Sequence, residues 1–374
     1  MLQDVFLILP KAQKARQPSF LKNFSMSKES TFMRYSGVCL ESCHYSLPEK
    51  IVTSEAIESE LEENLYTILG CPKGHLEALT GIQERRIWEP GTLPSTIATE
   101  AAKKTLAASG TSPEDIDVVI YTGVCRDQLE PSTANLVHFN LGLSSTCFAF
   151  DISNACVGFL NGMLMAANML EIGQIKRALV VTGENAGPLY TSLLPKLAQA
   201  KDPLQFRKSL ASLTLGSAGV AMILTKKDIS KTGHKLLGAV ALTDSAGHDL
   251  CKGYGDVNSL TMETDTVNLM KRGLYLSQKS WEIFKKHLEW DNDTPDHVIT
   301  HQISRNHQKK CLELLGLPLE KGHSHINFLG NTGSAAAPLS LAQGMENSSF
   351  KKGEKIALLG IGSGINTMMM GLEW

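Results

Sequence analysis

The chain has 374 residues, 43% of them hydrophobic and 20% charged, with a formal charge of −2. This is the profile of a soluble globular protein, long enough for two ordinary domains or one large duplicated unit. The near-neutral balance indicates no polyanion-binding surface, so nucleic acid is not an expected partner; a local basic patch for a nucleotide or a carrier protein would not show in such a total.

In chain order, VFLILP near the start is apolar but short, lacks a preceding basic region and is followed by Lys11, Lys14 and Arg16, so it is not a secretory signal. Residues 1–33 read as an N-terminal extension: an appendage, or an over-called start with Met26 or Met33 as the true first residue. The folded chain is expected to begin with the strand-like RYSGVCLES. Short apolar runs then alternate with longer amphipathic stretches, the pattern of an α/β protein. Predicted strands are 117–123, 147–152, 178–184, 219–225, 236–242, 297–302 and 355–362, and predicted helices are 95–108, 156–172, 264–290, 305–315 and 334–346. The uncharged run Ile152–Leu170 carries Asn154, Asn161 and Asn168 with Gly158 and Gly162, which would face lipid poorly, so a helix buried in the protein is expected and no transmembrane segment. KKDISKTGH, at 226–234, is the expected connection between a first half, 34–228, and a second, 229–374. Eight cysteines, at 39, 43, 71, 125, 147, 156, 251 and 311, show neither CxxC pairs nor histidine-spaced metal signatures; they read as reduced thiols of a cytoplasmic protein without a metal.

Cys156, in AFDISNACVGFLNGM, falls where a strand end meets a Gly- and Ala-rich helix. Unpaired N–H groups at a helix N-terminus favour negative charge, so a cysteine there is expected to ionise more easily and to serve as a nucleophile toward an acyl group. The plain alternative is a buried structural thiol. His301 in VITHQISRNH and Asn331 in FLGNTGSAAAP also stand at strand or helix ends, and both residue types donate hydrogen bonds to an oxygen that becomes negative during acyl transfer. A core histidine and an N-cap are their ordinary readings. In the C-terminal GIGSGIN, a glycine-rich turn between strands would let the Ser363 N–H join that of Cys156 as an oxyanion hole; otherwise it is a tight hairpin. The two halves also share a strand leading to a small-residue helix, opened by Cys156 in one and Asn331 in the other, a pattern suggestive of a repeat but common in α/β proteins.

DISNAC, THQISR, GNTGSAAAPLSL and GIGSG, in this order and spacing and with TGIQERRIW at 80–88, resemble the thiolase-fold condensing enzymes, particularly β-ketoacyl-acyl-carrier-protein synthase III. The resemblance runs from about residue 34 to Trp374. It implies a five-layered αβαβα sandwich of two similar halves, acting as a homodimer on acyl-CoA or acyl-carrier-protein thioesters with no cofactor. By the same resemblance Cys156 carries the acyl group, while His301 and Asn331 polarise the carbonyl of the incoming thioester. CRDQLEPSTANLVHFNLG, at 125–142, and the ending ALLGIGSGINTMMMGLEW are similar to the OleA-type enzymes of long-chain olefin synthesis, which join two fatty acyl-CoA molecules without decarboxylation. That likeness implies that Glu130 reaches the neighbouring subunit's active site and removes an α-proton, and that a downstream reductase acts on the keto acid.

Chemistry gives Glu130 a purpose. A malonyl donor makes its carbanion by losing carbon dioxide, whereas an ordinary acyl thioester must surrender a weakly acidic α-proton to a base. Glu130 is therefore expected in a partly desolvated site with a raised pKa, its ordinary alternative being a solvated loop carboxylate. Some family features are replaced. The tryptophan and arginine that sandwich the CoA adenine fall near His75 and Leu79, and Ser217 stands where an acidic residue is usual. Arg305, with Ser304 beside it, lies near the family's pantetheine or carrier-phosphate contacts, a surface arginine being the plain alternative. Met163, Met165, Leu193 and Leu194 line an acyl channel or are ordinary core. The expected activity is a Claisen condensation of two acyl thioesters giving a β-keto acid or β-ketoacyl product. Its rivals are a decarboxylating synthase III, a papain-like hydrolase, whose CGSCW-type motif is missing here, and an inactive scaffold subunit.

Overall fold

The structure, a computed structural model, describes residues 32–61, 72–255 and 260–374; the extension expected over 1–33 lies outside these apart from Phe32 and Met33, and Cys71 lies outside them too. The described chain opens with β1 (Phe32–Arg34) and β2 (Val38–Ser46), followed by β3 (Ile51–Thr53), α1 (Ser54–Glu60), α2 (His75–Thr80) and β4 (Glu84–Arg86). Next come α3 (Pro94–Ser109), β5 (Val118–Tyr121), α4 (Thr133–Leu141), β6 (Phe148–Asp151), α5 (Gly158–Glu171), β7 (Arg177–Glu184), α6 (Gly187–Ala198), α7 (Pro203–Ser209) and β8 (Ala218–Lys226). The remainder is β9 (His234–Thr243), β10 (Cys251–Gly255), β11 (Leu260–Thr264), α8 (Thr266–Leu288), β12 (His297–Thr300), α9 (Arg305–Leu315), β13 (Gly322–His323), α10 (Ile326–Leu329), α11 (Ala336–Glu346), β14 (Lys355–Gly362) and β15 (Asn366–Glu373).

Ten of the strands form two half-sheets of one design. The first runs β6-β5-β7-β8-β2 and the second β13-β12-β14-β15-β9. In each, the first three strands are parallel and the last two join antiparallel. The halves meet edge to edge where β2 pairs β9 through Cys39↔Lys235 and Leu40↔His234, and β1 adds to β9. Residues 227–233 carry the chain from β8 into β9.

The strands are apolar on both faces because both are covered. In β5, Val118 and Ile120 enter the core between the half-sheets, while Val119 and Tyr121 face an outer core under α3 and α4. In β14, Ile356 and Leu358 point inward and Ala357 and Leu359 outward under α8. This period of two follows from the pleat. α5 and α11 lie between the half-sheets, α3 and α4 cover the first, and α8, backed by α9, covers the second. The layers are therefore helix, sheet, helix, sheet, helix, as the motifs implied. Among the described residues no helix is long and apolar enough to cross a membrane; the uncharged run that ends near Leu170 becomes α5, with Phe159, Leu160, Met163, Ala166 and Ala167 buried.

The short α1 and α2, the proline-containing α6, the proline-initiated α7 and the β10–β11 pair have no counterpart among the predicted elements. Each is too short, or too interrupted, for periodicity to register.

α5 sits tightly on its sheet. A Cβ on Gly162 would lie 2.5 Å from the Thr122 methyl and 2.9 Å from a Val180 methyl. Alanine improves helix propensity by about 1 kcal/mol, but overpacking costs about 1–3 kcal/mol. Gly162→Ala is accordingly expected to lower stability in urea unfolding by about 1 kcal/mol or more; an unchanged or raised midpoint would contradict this packing.

Candidate active site

The polar residues singled out in the sequence gather at the carboxyl ends of the parallel strands, where open α/β sheets place ligands. Cys156 is the middle residue of a one-turn 3-10 segment, Ala155–Val157, between β6 and α5. Ala155 enters it at φ 46°, a conformation costly for a residue with a Cβ. The turn is held between two backbones: a Cβ on Gly158 would fall 2.4 Å from the Thr122 carbonyl oxygen, and one on Gly362 would fall 3.3 Å from the Cys156 nitrogen. A matching 3-10 segment, Gly333–Ala335, precedes α11 and packs against it.

Asn331 heads that second turn. Its backbone N–H donates to Thr214 O at 2.9 Å, and its own carbonyl accepts from Gly216 N at 2.8 Å. Its Oδ1 accepts from Gly333 N at 3.0 Å, a local cap that spends the amide oxygen and leaves the amide N–H groups to offer. His301 directly follows β12, is 3% exposed, and donates its backbone N–H to Leu359 O at 2.9 Å. It is thus tied to β14, the strand that ends at Gly362.

His301, His307 and His325 are buried and Cys156 is half-buried among packed backbone, and these surroundings favour the neutral forms of all four. Desolvation, with Cys251 and Glu184 nearby, pushes the Cys156 thiol up to about 12. The expectation of an easily ionised cysteine is corrected here. A helix terminus favours an anion by only about 0.3–1 kcal/mol, less than desolvation costs it, and α5 begins two residues after Cys156. Burial, then His307 and His325, holds His301 down at about 3. His307, by burial and Lys310, lies at about 4, and His325, by burial, at about 3. His325 Nδ1 is bonded to Ser340 Oγ at 2.8 Å.

Several important residues escaped the sequence reading. Glu184, at the end of β7 and 4% exposed, accepts from Val124 N at 2.9 Å, Cys125 N at 3.3 Å and Ser334 N at 3.1 Å. It therefore joins the loop leading to Glu130 to the turn after Asn331. Asn366 Nδ2 donates to Asn154 Oδ1 at 2.9 Å and to Ser363 O at 3.1 Å, connecting the Cys156 loop to the GIGSG turn. Cys251 accepts from Thr264 Oγ1 at 3.5 Å and is hydrogen-bonded to Ser363. A polar residue ending a strand was the available signal for Glu184; nothing in the spacing marks the others.

Glu130 lies in a loop fastened at Val124 and Cys125 by Glu184 and, beyond Ser132, by Asp151, which accepts from Thr133 N and Ala134 N at 2.9 Å each. Leu129, Glu130 and Pro131 are exposed. Within one chain, then, the expected desolvation of Glu130 is not found: the residue is exposed. Ser304 is buried as the N-cap of α9, its Oγ accepting from His307 N at 3.1 Å. Arg305 is exposed and, with Asn306 and Lys309, borders a polar cleft of about 840 Å³. Ser217 Oγ accepts from Ala186 N at 2.9 Å, a structural bond at the start of α6. Met163 is core, Met165 is 43% exposed, and Leu193 and Leu194 pack on a cluster beneath α1 and α2. That cluster forms part of a cavity of about 450 Å³, lined by Ile57, Leu61, Leu76, Phe206 and Leu213 and reaching His75 and Leu79, with Arg207, Lys208 and Lys252 among its polar residues. Thr264, the partner of Cys251, also lines it.

The three buried histidines set a pH dependence. Their folded values lie below the ordinary 6.5, so the unfolded chain binds protons the native state refuses. Their stabilising contribution is full above 6.5 and is lost as pH falls, at up to about 1.4 kcal/mol per pH unit for each histidine. Unfolding free energy should fall between pH 7 and 5, and His307→Gln should flatten the slope by about one proton; an identical slope in that variant would show that His307 does not contribute.

Known proteins share this fold. Residues 150–245 match the family described as 3-oxoacyl-[acyl-carrier-protein] synthase III, and residues 286–374 match its C-terminal region. The acyl-CoA:acyl-CoA alkyltransferase of Shewanella oneidensis is 39% identical over 91% of this chain and 100% of its own length. A β-ketoacyl-[acyl-carrier-protein] synthase III of Clostridium tetani is 28% identical over 83% of this chain and 93% of its own. The crystal structure of Xanthomonas campestris OleA with bound cerulenin superposes with a TM-score of 0.88 at 36% identity, covering 91% of this chain and 98% of that one. Other structures of that protein carry replacements of a cysteine, a glutamate or a histidine, and one holds lauric acid and lauroyl-CoA. The chain belongs to the synthase III-like, thiolase-fold family of condensing enzymes that includes the OleA-type acyl-CoA:acyl-CoA alkyltransferases.

Proposed function

We propose that this enzyme condenses two fatty acyl-CoA molecules without decarboxylation, through an acyl-Cys156 intermediate. The observation that carries the reading is the meeting of the Cys156 turn, the Asn331 turn and the Gly362–Ser363 turn at one point, in a chain 39% identical to an acyl-CoA:acyl-CoA alkyltransferase. The cavity bordered by His75 and Leu79 is the route for the thioester arm, its apolar wall suiting pantetheine and acyl methylenes.

In the first half-reaction the Cys156 sulfur bonds to the thioester carbonyl carbon. The N–H groups of Cys156 and Ser363 receive the developing oxyanion, and CoA leaves as its thiol with the proton from Cys156. A thiol at about 12 gives up that proton as it attacks rather than beforehand. In the second, a carboxylate takes the α-proton of another acyl-CoA while neutral His301 and Asn331 donate hydrogen bonds to the enolate oxygen. The carbanion bonds to the acyl carbonyl, the bond to Cys156 breaks, and a 2-alkyl-3-ketoacyl thioester results; the departing sulfur regains a proton as the carboxylic acid gives up the one it took, and hydrolysis releases the β-keto acid. A histidine held near 3 stays uncharged and suits donation rather than stable protonation.

Glu130 of the partner subunit is the base in this scheme. Two observations support it. In the Xanthomonas campestris protein the replaced glutamate and cysteine are 26 positions apart, the separation of Glu130 and Cys156 here. Around the Glu130 loop, β6 leaves one edge unpaired among the described residues, and Val124, Leu129, Phe139 and Phe148 are 54%, 93%, 83% and 60% exposed. An apolar patch beside an open strand edge fits a homodimer that extends the sheet and desolvates Glu130.

Incubation with a long-chain acyl-CoA and no malonyl donor should yield the β-keto acid or its decarboxylated ketone by mass spectrometry. Cys156→Ala should abolish acylation, and Glu130→Ala should acylate without condensing. Acyl-enzyme that waits for a malonyl thioester would instead favour the decarboxylating synthase III reading. Re-associated mixtures of the two variants test the placement of Glu130. If it acts in the neighbouring site, equal mixing restores about a quarter of the sites; no recovery in confirmed mixed dimers would confine it to its own subunit.

A further inference from the structure

The two N–H groups assigned to the oxyanion belong to different halves of the fold. That of Cys156 comes from the loop between β6 and α5, and that of Ser363 from the turn between β14 and β15. Among the described residues, neither is given to an acceptor on another residue. Among the described residues no sheet ladder joins the two segments; the half-sheets pair at β2 and β9, and Gly362 offers a close contact without a side chain. Two donors on separate segments stabilise an oxyanion only if their separation is fixed beforehand, since reorganisation during reaction would consume the gain.

We infer that the hydrogen bond between Asn366 and Asn154 fixes this separation, making both asparagines positioning residues for acyl transfer. Asn154 lies two residues before Cys156, and its carbonyl accepts the Val157 N–H at 3.2 Å, so it shapes the nucleophile's own turn. Asn366 lies three residues after Ser363, and its Nδ2 bonds both the Ser363 carbonyl at 3.1 Å and Asn154 Oδ1 at 2.9 Å. One amide thus touches both donor segments. Each end is anchored in turn: Asn154 Nδ2 donates to Asn161 Oδ1 of α5 at 2.6 Å, and Asn366 Oδ1 accepts from Thr243 Oγ1 of β9 at 2.8 Å. The chain of four side chains spans from the central helix of the first half to the sheet of the second. It also accounts for Asn154 and Asn161 in an uncharged stretch.

The inference rests on the acyl-transfer reading above, and its test separates the two. Acylation of Cys156 by dodecanoyl-CoA and alkylation by iodoacetamide are followed by mass spectrometry, with dodecanoyl-CoA affinity measured on the Cys156→Ala background. Alkylation displaces iodide at carbon and forms no oxyanion, so it reports access and reactivity of the thiol alone. Asn366→Ala and Asn154→Ala should each slow acylation about 10- to 100-fold, with alkylation and affinity unchanged within about twofold. The double variant should be no slower than the slower single one, because each change breaks the same bond. Acylation unchanged in both variants, or acylation and alkylation falling together, would overturn the positioning role. Absence of acylation in the unaltered enzyme would defeat the acyl-transfer reading instead.

Discussion

The centre of this protein depends on backbones that approach one another with no side chain between them. α5 can lie on its sheet because Gly158 and Gly162 put nothing in the way of Thr122 and Val180, and β14 can reach the Cys156 turn because Gly362 ends it. Side chains at these points would push α5 away from the sheet and carry Cys156 out of line with the segments that serve it. The same constraint explains why the Cys156 turn is 3-10 rather than the first turn of α5. The chain must enter through Ala155 at positive φ and tighten before the helix can begin.

The same close packing bears on the electrostatics. A thiol pushed up and an imidazole pushed down are two results of one cause, the cost of an unpaired charge away from water. Chemistry in such a place runs on oriented donors instead of preformed ions. Their orientation is what the surrounding polar residues provide: Glu184 gathers three backbone N–H groups from two loops, and Asn366 bridges the remaining gap. Glu184 also raises the cost of a thiolate at Cys156. The framework that aligns the site therefore opposes early ionisation of its nucleophile.

The strands were legible because each is a short run of Val, Ile, Leu and Ala buried on both faces, and the long helices because their apolar stripes span several turns. Cys156, His301, Asn331 and Ser363 were legible because each belongs to a distinctive local string. Glu184 closes a run already read as a strand, and Asn366 resembles any polar hairpin residue; their importance lies in partners 60 and 212 residues away, a separation no local pattern carries. The ionisation of Cys156 was misjudged for a related reason. Helix placement is local and visible in sequence, whereas desolvation sums over the whole fold. Glu130 presents the opposite case, a residue picked out by its motif whose surroundings in a single chain are solvent.

The two halves repeat one design, yet the repeat has diverged where chemistry needs it to. Each passes through a 3-10 turn into a small-residue central helix, and the two turns meet at the seam. One holds Cys156 and the other follows Asn331, so the proposed reaction draws on both copies. The sheet's outer edges have diverged as well. β13, reduced to two residues, closes the second half with little exposed edge to pair, whereas β6 ends the first with four residues and an exposed Phe148. A short edge discourages pairing and an apolar one invites it. A proposed partner subunit would therefore meet the first half, on the side from which the Glu130 loop projects. In the proposed reaction the asymmetry at the edge and the asymmetry at the seam serve the same end, bringing a base from one chain to a thioester held by the other.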